Sequence, residues 1–193
     1  MNYSLKEKRD SKSAVVVARM VPQKNFQFIL KLLSELPEIN KLVWVGDGHQ
    51  KGDIINYASQ LNIADRIDFK GVIPRAEVYE VLTKSSIYIA ASKWEGIGVA
   101  NIESAALGCI PFLSDIPPHN EIASEIGIST YSLSDTSEWS LAIRELFKMS
   151  DSDLMDRRVS IAEATLGKYD LMDAVNKYII IYRDYLCESK TKS

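Results

Sequence analysis

The chain has 193 residues, of which 46 % are hydrophobic and 25 % are charged, as in an ordinary globular domain. Its formal net charge of -3, with no block of Lys and Arg, argues against a nucleic-acid-binding protein. The longest apolar runs fall well short of the about 18 residues that cross a bilayer, so we expect no transmembrane segment.

The beginning of the chain, 1–13, is polar and charged and predicts a flexible lead-in rather than a signal peptide. The two cysteines, Cys109 and Cys187, lie far apart in sequence. Cys109 stands in an apolar run, which is typical of a buried free thiol. Because no secretion signal is visible, we expect a reduced, cytoplasmic setting.

Strand-like and helix-like runs alternate over 14–134, which we expect to form one core domain. The predicted strands are mainly apolar and cover 14–19, 41–45, 67–70, 87–91, 110–114 and 129–131. The helices predicted between them cover 25–36, 53–61, 74–84 and 99–107. Strands that are apolar on both faces are typical of a parallel sheet covered by helices on both sides. The pattern therefore predicts a doubly wound α/β fold with about six strands.

The remainder, 135–187, is predicted to form C-terminal helices of the same domain, with a flexible tail at 188–193. Ser and Asp residues that favour helix caps precede the runs WSLAIRELFKM and SDSDLMDRRVSIAEAT. The second run contains a D-x-D pair, Asp151 and Asp153, which the pattern assigns to capping rather than to a metal site. The last helix is predicted at 171–186, with a stripe of tyrosines that favours packing.

The most informative stretch is SKWEGIGVANIESAALGCIPFLSD, at 92–115. In it, Glu95 and Glu103 stand eight positions apart across a glycine-rich turn that joins an apolar run to a helix-like run. The N-terminus of such a helix offers free N–H groups and a favourable dipole to an anion. Carboxylates accept hydrogen bonds from hydroxyl groups. A nucleotide sugar carries both phosphates and hydroxyls, so the pattern indicates a site for such a ligand.

This stretch resembles the E-x7-E motif of retaining glycosyltransferases of the GT-B type, a group that includes glycogen synthases and bacterial polysaccharide mannosyl- and glucosyltransferases. Four further segments match that group in register: ARMVPQKNF, LVWVGDG, IDFKGVIPRAEVYEVLTKSSIYIAAS and ESAALGCIPFLSD. The resemblance implies that the chain is a Rossmann-like, donor-binding lobe, one of the two lobes of such an enzyme. It also implies transfer of a hexosyl unit from a nucleotide diphosphate sugar to a hydroxyl, in surface polysaccharide or glycoconjugate synthesis.

The resemblance implies a role for each charged residue that matches. Arg19 and Lys24 would neutralise the diphosphate as the bond to the sugar breaks. Glu103 would accept hydrogen bonds from the ribose hydroxyls. Glu95 would position the hexose and stabilise charge, without forming a covalent bond to it. Asn25 stands where the family often has glycine, and we expect its side chain to cap the following helix.

The glycine-rich turn would contact the donor mainly through its backbone. The positions concerned are Gly96, Ile97, Gly98, Val99 and Ala100, and Ile97 replaces an aromatic residue that is frequent there. The resemblance also places Gly46 in a tight turn beside the site and Val72 near the base. Because cations and the helix N-terminus would bind the phosphates, no metal and no other cofactor is expected.

The sequence is compatible with several partners and with two other functions. An acceptor-binding lobe or subunit would have to complete the cleft, and the chain could meet the inner face of a membrane through that lobe or form weak homodimers. A nucleotide-sugar epimerase of similar fold and a non-catalytic nucleotide-sugar-binding or scaffold domain are the other functions considered. His119 could touch the donor phosphate or the acceptor, or it could be a polar residue at a helix start.

Overall fold

A computed structural model describes residues 9–169, in which six strands form one sheet with every neighbouring pair parallel. The strands are β1 (Asp10–Val17), β2 (Lys41–Val45), β3 (Ile67–Gly71), β4 (Ser85–Ala90), β5 (Ile110–Ser114) and β6 (Thr130–Tyr131). Their order in the sheet is β3-β2-β1-β4-β5-β6, so the direction of winding reverses between β1 and β4. The prediction of a six-stranded parallel sheet is confirmed. In such sheets, ligands bind outside the carboxyl ends of the strands where the order reverses.

Helices connect the strands and cover both faces of the sheet. They are α1 (Phe26–Glu35), α2 (Lys51–Gln60), α3 (Arg75–Lys84), α4 (Val99–Ala106), α5 (Pro117–Ile126), α6 (Ser137–Lys148) and α7 (Asp151–Lys168). Because parallel crossovers are right-handed, the reversal at β1 places the helices of the two halves on opposite faces. Accordingly, α1 contacts α2 and α6, whereas α7 contacts α4 and α5. None of the helices within 9–169 is long and apolar enough to cross a membrane.

The core lies between the sheet and its two helix layers. All residues of β4 and β5 are buried, and in β2 only Lys41 is exposed. The two largest fully buried side chains are Trp44 of β2 and Trp139 of α6. Each indole N–H finds a backbone acceptor, the carbonyl of Ala18 at 3.3 Å and that of Ser132 at 2.8 Å. The apolar character of the strands therefore reflects burial on both faces.

The first strand begins at Asp10, so the predicted boundary of a lead-in at 1–13 is wrong at its C-terminal end. The polar start of β1 is held by specific bonds: the backbone N–H of Ser86 donates to Ser13 Oγ at 3.2 Å. The buried guanidinium of Arg9 donates to the carbonyls of Leu82 at 2.8 Å and Leu107. These carbonyls lie at the ends of α3 and α4, where helices leave acceptors unpaired. Residues 9–13 thus belong to the domain although their sequence is polar.

The two helices predicted after 134 are present as α6 and α7. Ser150 caps α7, since its side chain accepts from the backbone N–H of Asp153 at 3.1 Å. Asp151 and Asp153 therefore lie in the first turn of a helix, where carboxylates favour the dipole. The helix predicted at 171–186, its tyrosine stripe and the tail at 188–193 lie outside the described residues.

Candidate functional site

The loops that follow β1 and β4 meet at the carboxyl edge of the sheet, at the point where the strand order reverses. The backbone N–H of Lys93 donates to the carbonyl of Gln23 at 2.9 Å, and the side chain of Gln23 donates to the carbonyl of Trp94 at 2.7 Å. These bonds tie the loop after β1 to the loop after β4. The site is therefore built from two segments about 70 positions apart in the chain.

Arg19 lies in the loop directly after β1 and is exposed. It lines an open groove of about 370 Å³ together with Val21, Gln23, Lys93 and Trp94. Within the described part of the chain, the Arg19 guanidinium makes no hydrogen bond and no ion pair. The groove thus holds a cation that is free to meet an anionic ligand, next to the exposed side chain of Lys93.

Lys24 ends a short 3-10 turn, Pro22–Lys24, rather than beginning α1. Its ammonium group donates to Glu95 Oε1 at 2.7 Å, and this ion pair is largely shielded from solvent. Asn25 follows in the left-handed conformation, with φ of 55°, and its side chain does not cap α1. The expectation that Asn25 is a side-chain cap is wrong. Asn tolerates positive φ better than most residues, which explains why it stands at a position suited to glycine.

Glu95 is the best-connected carboxylate of the site, and its side chain is only 8 % exposed. In addition to Lys24, Ser92 Oγ donates to Oε1 at 2.5 Å, and His119 Nε2 lies 3.5 Å from the same oxygen. Burial alone raises the pKa of Glu95, but its contacts with His119, Lys24 and Ser92 together outweigh burial and lower the pKa to about 2. Glu95 is therefore a stable carboxylate, with Oε2 left for further contacts.

His119 lies in the first turn of α5 and is completely buried. Its Nδ1 is 3.0 Å from Ser114 Oγ and 3.1 Å from the Ser114 carbonyl oxygen. Ser114 Oγ in turn donates to the Ser92 carbonyl at 2.7 Å. Nε2 faces Glu95 and has no hydrogen-bond partner among the described residues. His119 thus stands behind Glu95, and not on an exposed helix start.

The turn that leads into α4 is shaped by Gly98. Its φ is 68°, and an added Cβ would lie 2.4 Å from Asn101 Nδ2 and 3.1 Å from Glu95 Oε2. At Gly96, by contrast, a Cβ would meet nothing within 4 Å. Gly98 is the N-cap of α4, so the N–H groups of Val99 and Ala100 lie at the open end of the helix. The side chain of Ile97 is exposed beside them.

The second glutamate, Glu103, lies in α4, and its partners come from α3. Arg75 Nη2 donates to Glu103 Oε1 at 2.5 Å, and the Tyr79 hydroxyl donates to the same oxygen at 2.9 Å. The Arg75 guanidinium also lies over the Tyr79 ring, 5.3 Å from its centroid. Burial first, and then the neighbouring Glu103, raises the pKa of Tyr79. Sequence reasoning missed Arg75 and Tyr79, whose spacing of four on one helix is the signal that links them.

Gly46 and Val72 flank the site at the ends of β2 and β3. The φ of Gly46 is 125°, and a Cβ there would lie 2.2 Å from the Ala18 carbonyl oxygen. The backbone N–H of Gly46 donates to the Gly71 carbonyl at 2.7 Å. Gly46 is therefore required by close backbone packing in any case. Val72 is 83 % exposed, so its side chain is free of the core.

Over 9–169, His, Cys, Asp and Glu side chains form no group of three or more that could hold a metal ion. The cations and helix amides already described are the groups positioned to meet an anion.

Comparison with known proteins places this chain in a family. The model of "Glycosyl transferases group 1" matches residues 3–164. The chain belongs to the group 1 glycosyl transferases. Its sheet order, with the reversal at β1, is that of a Rossmann-like domain.

Two curated relatives illustrate the range of this family. The chain is 27 % identical, over 137 residues, to a GDP-mannose:cellobiosyl-diphosphopolyprenol alpha-mannosyltransferase of Xanthomonas oryzae pv. oryzae, covering 70 % of this chain and 36 % of that protein. It is 29 % identical, over 119 residues, to a UDP-Gal:alpha-D-GlcNAc-diphosphoundecaprenol alpha-1,3-galactosyltransferase of Escherichia coli, covering 58 % of this chain and 30 % of that protein. The chain thus spans about a third of the length of these relatives.

The fold is shared with solved structures. A crystal structure of Anabaena HepE in complex with UDP-glucose superposes with a TM-score of 0.78 at 15 % identity. The match covers 91 % of this chain and 49 % of HepE. At this level of identity the similarity establishes the fold and does not establish the roles of the site residues.

Proposed function

We propose that this chain is the donor-binding lobe of a retaining, GT-B-type glycosyltransferase of the E-x7-E group. It would transfer a hexosyl unit from a nucleoside diphosphate sugar to a hydroxyl. The observation that carries the proposal is the Lys24–Glu95 ion pair, at 2.7 Å, on the carboxyl edge of the two central strands. Lys24 can bind phosphate and Glu95 can accept hydrogen bonds from hydroxyl groups, and the pair lies at the edge where such sheets bind ligands.

The diphosphate is assigned to the cationic side of the site. Arg19 is unpaired within the described residues, Lys93 lines the same groove, and the amides of Val99 and Ala100 open α4. Lys24 also lies there but shares its charge with Glu95. Arg19 and the helix N-terminus therefore supply most of the uncompensated positive potential for a phosphate. With these groups in place, the leaving diphosphate is stabilised without a metal ion.

The ribose is assigned to Glu103. Its Oε1 already accepts two hydrogen bonds, from Arg75 and Tyr79, whereas Oε2 has none from the described residues. A vicinal diol would therefore bind mainly through Oε2, while the bonds from Arg75 and Tyr79 to Oε1 stay in place. Arg75 and Tyr79 hold the carboxylate in place, so that little side-chain entropy is lost when the ligand binds.

The hexose is assigned to Glu95, in a charge-stabilising and positioning role. A carboxylate with a pKa of about 2 is a weak base and a weak nucleophile, because its negative charge is already stabilised by three neighbours. It retains that charge as positive charge develops on the sugar in the transition state, which is the condition for electrostatic stabilisation. This favours a mechanism in which no covalent bond forms to Glu95.

The whole enzyme requires an acceptor-binding lobe or subunit. The chain spans about a third of its curated relatives, and exposed apolar side chains surround the site, namely Val72, Trp94, Ile97 and Val99. An apolar rim of this kind is suited to a partner surface and, without one, to weak self-association. The names of the two relatives support a polyprenol-linked saccharide as the acceptor and surface polysaccharide or glycoconjugate as the product. Such acceptors would bring the enzyme to the inner face of a membrane.

A binding panel tests the donor assignment. UDP-glucose, UDP-galactose, GDP-mannose and ADP-glucose are titrated into the full chain by calorimetry, with Arg19→Ala as the matched variant. We expect one base to be preferred and Arg19→Ala to weaken its binding at least about tenfold, the loss of one charged hydrogen bond. If wild type binds none of the four at millimolar concentration, the donor-lobe proposal is wrong.

Turnover then separates a transferase from a binding module. The full chain is assayed with the preferred donor and polyprenol-linked saccharides, alone and with an acceptor-binding lobe supplied in fusion or separately, in the presence of EDTA. We expect little or no transfer from the chain alone and metal-independent transfer with the second lobe. Donor binding without transfer in either case would favour a non-catalytic module, and a change of sugar configuration in the unbound donor would favour an epimerase.

A further inference from the structure

We propose that His119 is a positioning residue for Glu95, acting through Nε2–H of a doubly protonated imidazole ring. The ring is fully buried, and its two nitrogens face different partners: Nδ1 faces Ser114 and Nε2 faces Glu95. A neutral ring, in which one nitrogen donates and the other accepts, does not fit both partners. The hydrogen bonds of Ser114 decide this.

The hydrogen on Nδ1 is fixed by the groups around it. The Ser114 carbonyl oxygen, 3.1 Å from Nδ1, can only accept a hydrogen bond, so Nδ1 must donate. The Ser114 hydroxyl donates its own hydrogen to the Ser92 carbonyl at 2.7 Å, so its oxygen also presents a lone pair to Nδ1. Because both nearby oxygens are acceptors, Nδ1 carries a hydrogen in every form of the ring that satisfies them.

The consequence falls on Nε2. In a neutral ring that carries its hydrogen on Nδ1, Nε2 carries only a lone pair. That lone pair would face the Glu95 carboxylate oxygen at 3.5 Å, and Nε2 would have no other partner among the described residues. Two buried lone pairs that face each other are unfavourable, and a buried polar atom without a partner is costly. A proton on Nε2 removes both costs and turns the contact into an ion pair.

The charges around the ring are compatible with this state. Glu95, from the loop after β4, supplies the negative charge, and Lys24, from the turn before α1, shares the same Oε1. Tyr88 of β4 adds no charge, because burial, with a smaller effect of Glu95, raises its pKa far above neutral pH. The cluster of Lys24, Glu95 and His119 then carries a net positive charge in the free protein. A diphosphate donor would compensate that charge, which links the inference to the proposed function.

The positioning role follows from where Glu95 is held. Ser92, Lys24 and His119 all approach Oε1, from three different segments of the chain. Three donors on one oxygen fix the carboxylate plane and leave Oε2 facing the turn at Gly98. His119 touches Glu95 from the buried side and so acts through Glu95 rather than on the ligand, as outer hydrogen-bond partners orient ligands in metal sites.

Spectroscopy of the ring tests the protonation state and does not depend on the proposed function. The chain has two histidines, and His49→Asn assigns the signals of His119 in proton–nitrogen correlation spectra of isotope-labelled protein. At neutral pH we expect hydrogens on both ring nitrogens in wild type. In Glu95→Gln, whose amide can donate to Nε2, we expect a neutral ring with its hydrogen on Nδ1. A neutral ring in the wild-type protein, in either tautomer, would overturn the inference.

Affinities of two matched variants test the positioning role, and this second test rests on the proposed function. In His119→Gln the amide reaches toward Glu95 as Nε2 does, whereas in His119→Asn the shorter amide keeps the contact with Ser114. We expect His119→Asn to weaken binding of UDP-glucose or GDP-mannose, whichever wild type binds, about tenfold, with UDP or GDP binding changed less than about twofold. His119→Gln should stay within about threefold of wild type for both ligands.

The outcomes separate the two claims. If both variants lose nucleotide and nucleotide-sugar affinity equally, or if His119→Asn is the better binder, His119 has only a structural role and the inference is wrong. Melting temperatures of both variants identify a general loss of folding. If wild type binds no nucleotide sugar, the proposed function has failed, and the spectra alone decide the state of the ring.

Discussion

Lys24 and Glu95 are 71 positions apart in the sequence and form a partly buried ion pair at the carboxyl edge of the sheet. The pair exists because β1 and β4 are neighbours in the sheet, although two strands, β2 and β3, lie between them along the chain. Each residue stands in the loop directly after one of these strands. The topology therefore brings together a cation and a carboxylate to which we have assigned roles in the proposed nucleotide-sugar site.

Removing each cation should separate binding from stability. Arg19→Ala and Lys24→Ala are each expected to weaken nucleoside diphosphate binding by about 1.5–3 kcal/mol, as for a charged hydrogen bond. Arg19 is exposed and unpaired within the described residues, so its loss should leave the melting temperature unchanged. Lys24→Ala should lower the free energy of unfolding by about 1–2 kcal/mol, because it strips a largely buried carboxylate of its partner.

Lys31→Ala is the control for both cation variants. Among the described residues, the Lys31 side chain makes only a long, exposed ion pair with Glu35 on α1, at 4.0 Å. Its loss should change neither ligand affinity nor stability. Calorimetry and denaturant titration give the two quantities, and wild-type affinity in both Arg19→Ala and Lys24→Ala would refute the phosphate assignment.

Acid should destabilise the protein through Glu95. The contacts of this carboxylate lower its pKa from 4.5 to about 2, so the unfolded chain takes up the proton at a higher pH than the folded one. The resulting stability is fully present above pH 4.5 and is lost as the pH falls toward 2. The size of the loss is about 3 kcal/mol, since one pKa unit corresponds to about 1.4 kcal/mol.

Denaturant titrations across this pH range, on wild type and Glu95→Gln, measure that loss. We expect Glu95→Gln to be less stable near neutral pH and to show a smaller decrease on acidification than wild type. Glu77→Gln, which changes an exposed glutamate of α3, serves as the control and should follow the wild-type curve. Parallel curves for Glu95→Gln and wild type would contradict the linkage.

The fold was predictable from the sequence because the central strands are buried on both faces and are therefore apolar. Such apolar runs are contiguous in sequence and can be recognised without knowledge of distant contacts. Besides the expected Asn25 cap, two parts of the fold were not predicted, and in the first of them long-range contacts override the local sequence. Asp10 to Ser13 are polar yet form the start of β1, because the backbone N–H of Ser86 donates to Ser13 and the adjacent Arg9 donates to the carbonyl of Ser85, which holds this segment against β4. α5 gave no clear periodic signal, and its first turn consists of Pro117, Pro118 and the buried His119.

The site was predictable in part, for a related reason. The motif that carries Glu95 and Glu103 is contiguous in sequence, so both glutamates could be identified. Their partners come from other segments: Arg75 is 28 positions from Glu103, and Lys24 is 71 positions from Glu95. The resemblance to a family identified Lys24, but nothing local pointed to Arg75 as the residue that holds Glu103.

The two glutamates should divide the donor between them. Glu103→Gln is expected to weaken binding of both the bare nucleotide and the nucleotide sugar by about 1–2 kcal/mol, because the ribose is common to both ligands. Glu95→Gln should spare the nucleotide and weaken only the nucleotide sugar. Arg75→Ala should resemble a milder Glu103→Gln, since it frees the carboxylate without removing it. Calorimetry with UDP and UDP-glucose, or with GDP and GDP-mannose, measures both affinities of each variant.

Equal losses for both ligands in both glutamate variants would refute this division. A loss confined to the nucleotide sugar in Glu103→Gln would instead exchange the two roles. Glu77→Gln, on the same helix as Arg75, is again the control and should leave both affinities unchanged.

The two glycines of the turn should respond very differently to the same substitution. At Gly98, φ is 68°, a conformation that costs an L-residue about 1 kcal/mol, and the new methyl group would lie 2.4 Å from Asn101 Nδ2 and 3.1 Å from Glu95 Oε2. Asn101 is buried, so it has little room to move. Gly98→Ala should therefore lower the free energy of unfolding by about 2–3 kcal/mol and displace the Glu95 carboxylate.

Gly96→Ala is the matched control, because its methyl group would meet nothing within 4 Å. It should change stability by less than about 0.5 kcal/mol, as most surface substitutions do. Gly98→Ala should also weaken nucleotide-sugar binding more than nucleotide binding, because the proposed function assigns the sugar to Oε2 of Glu95, which lies at this turn. Similar stabilities for the two variants would show that the turn adapts easily, and Gly98 would then have no special role in holding Glu95 at the entrance to α4.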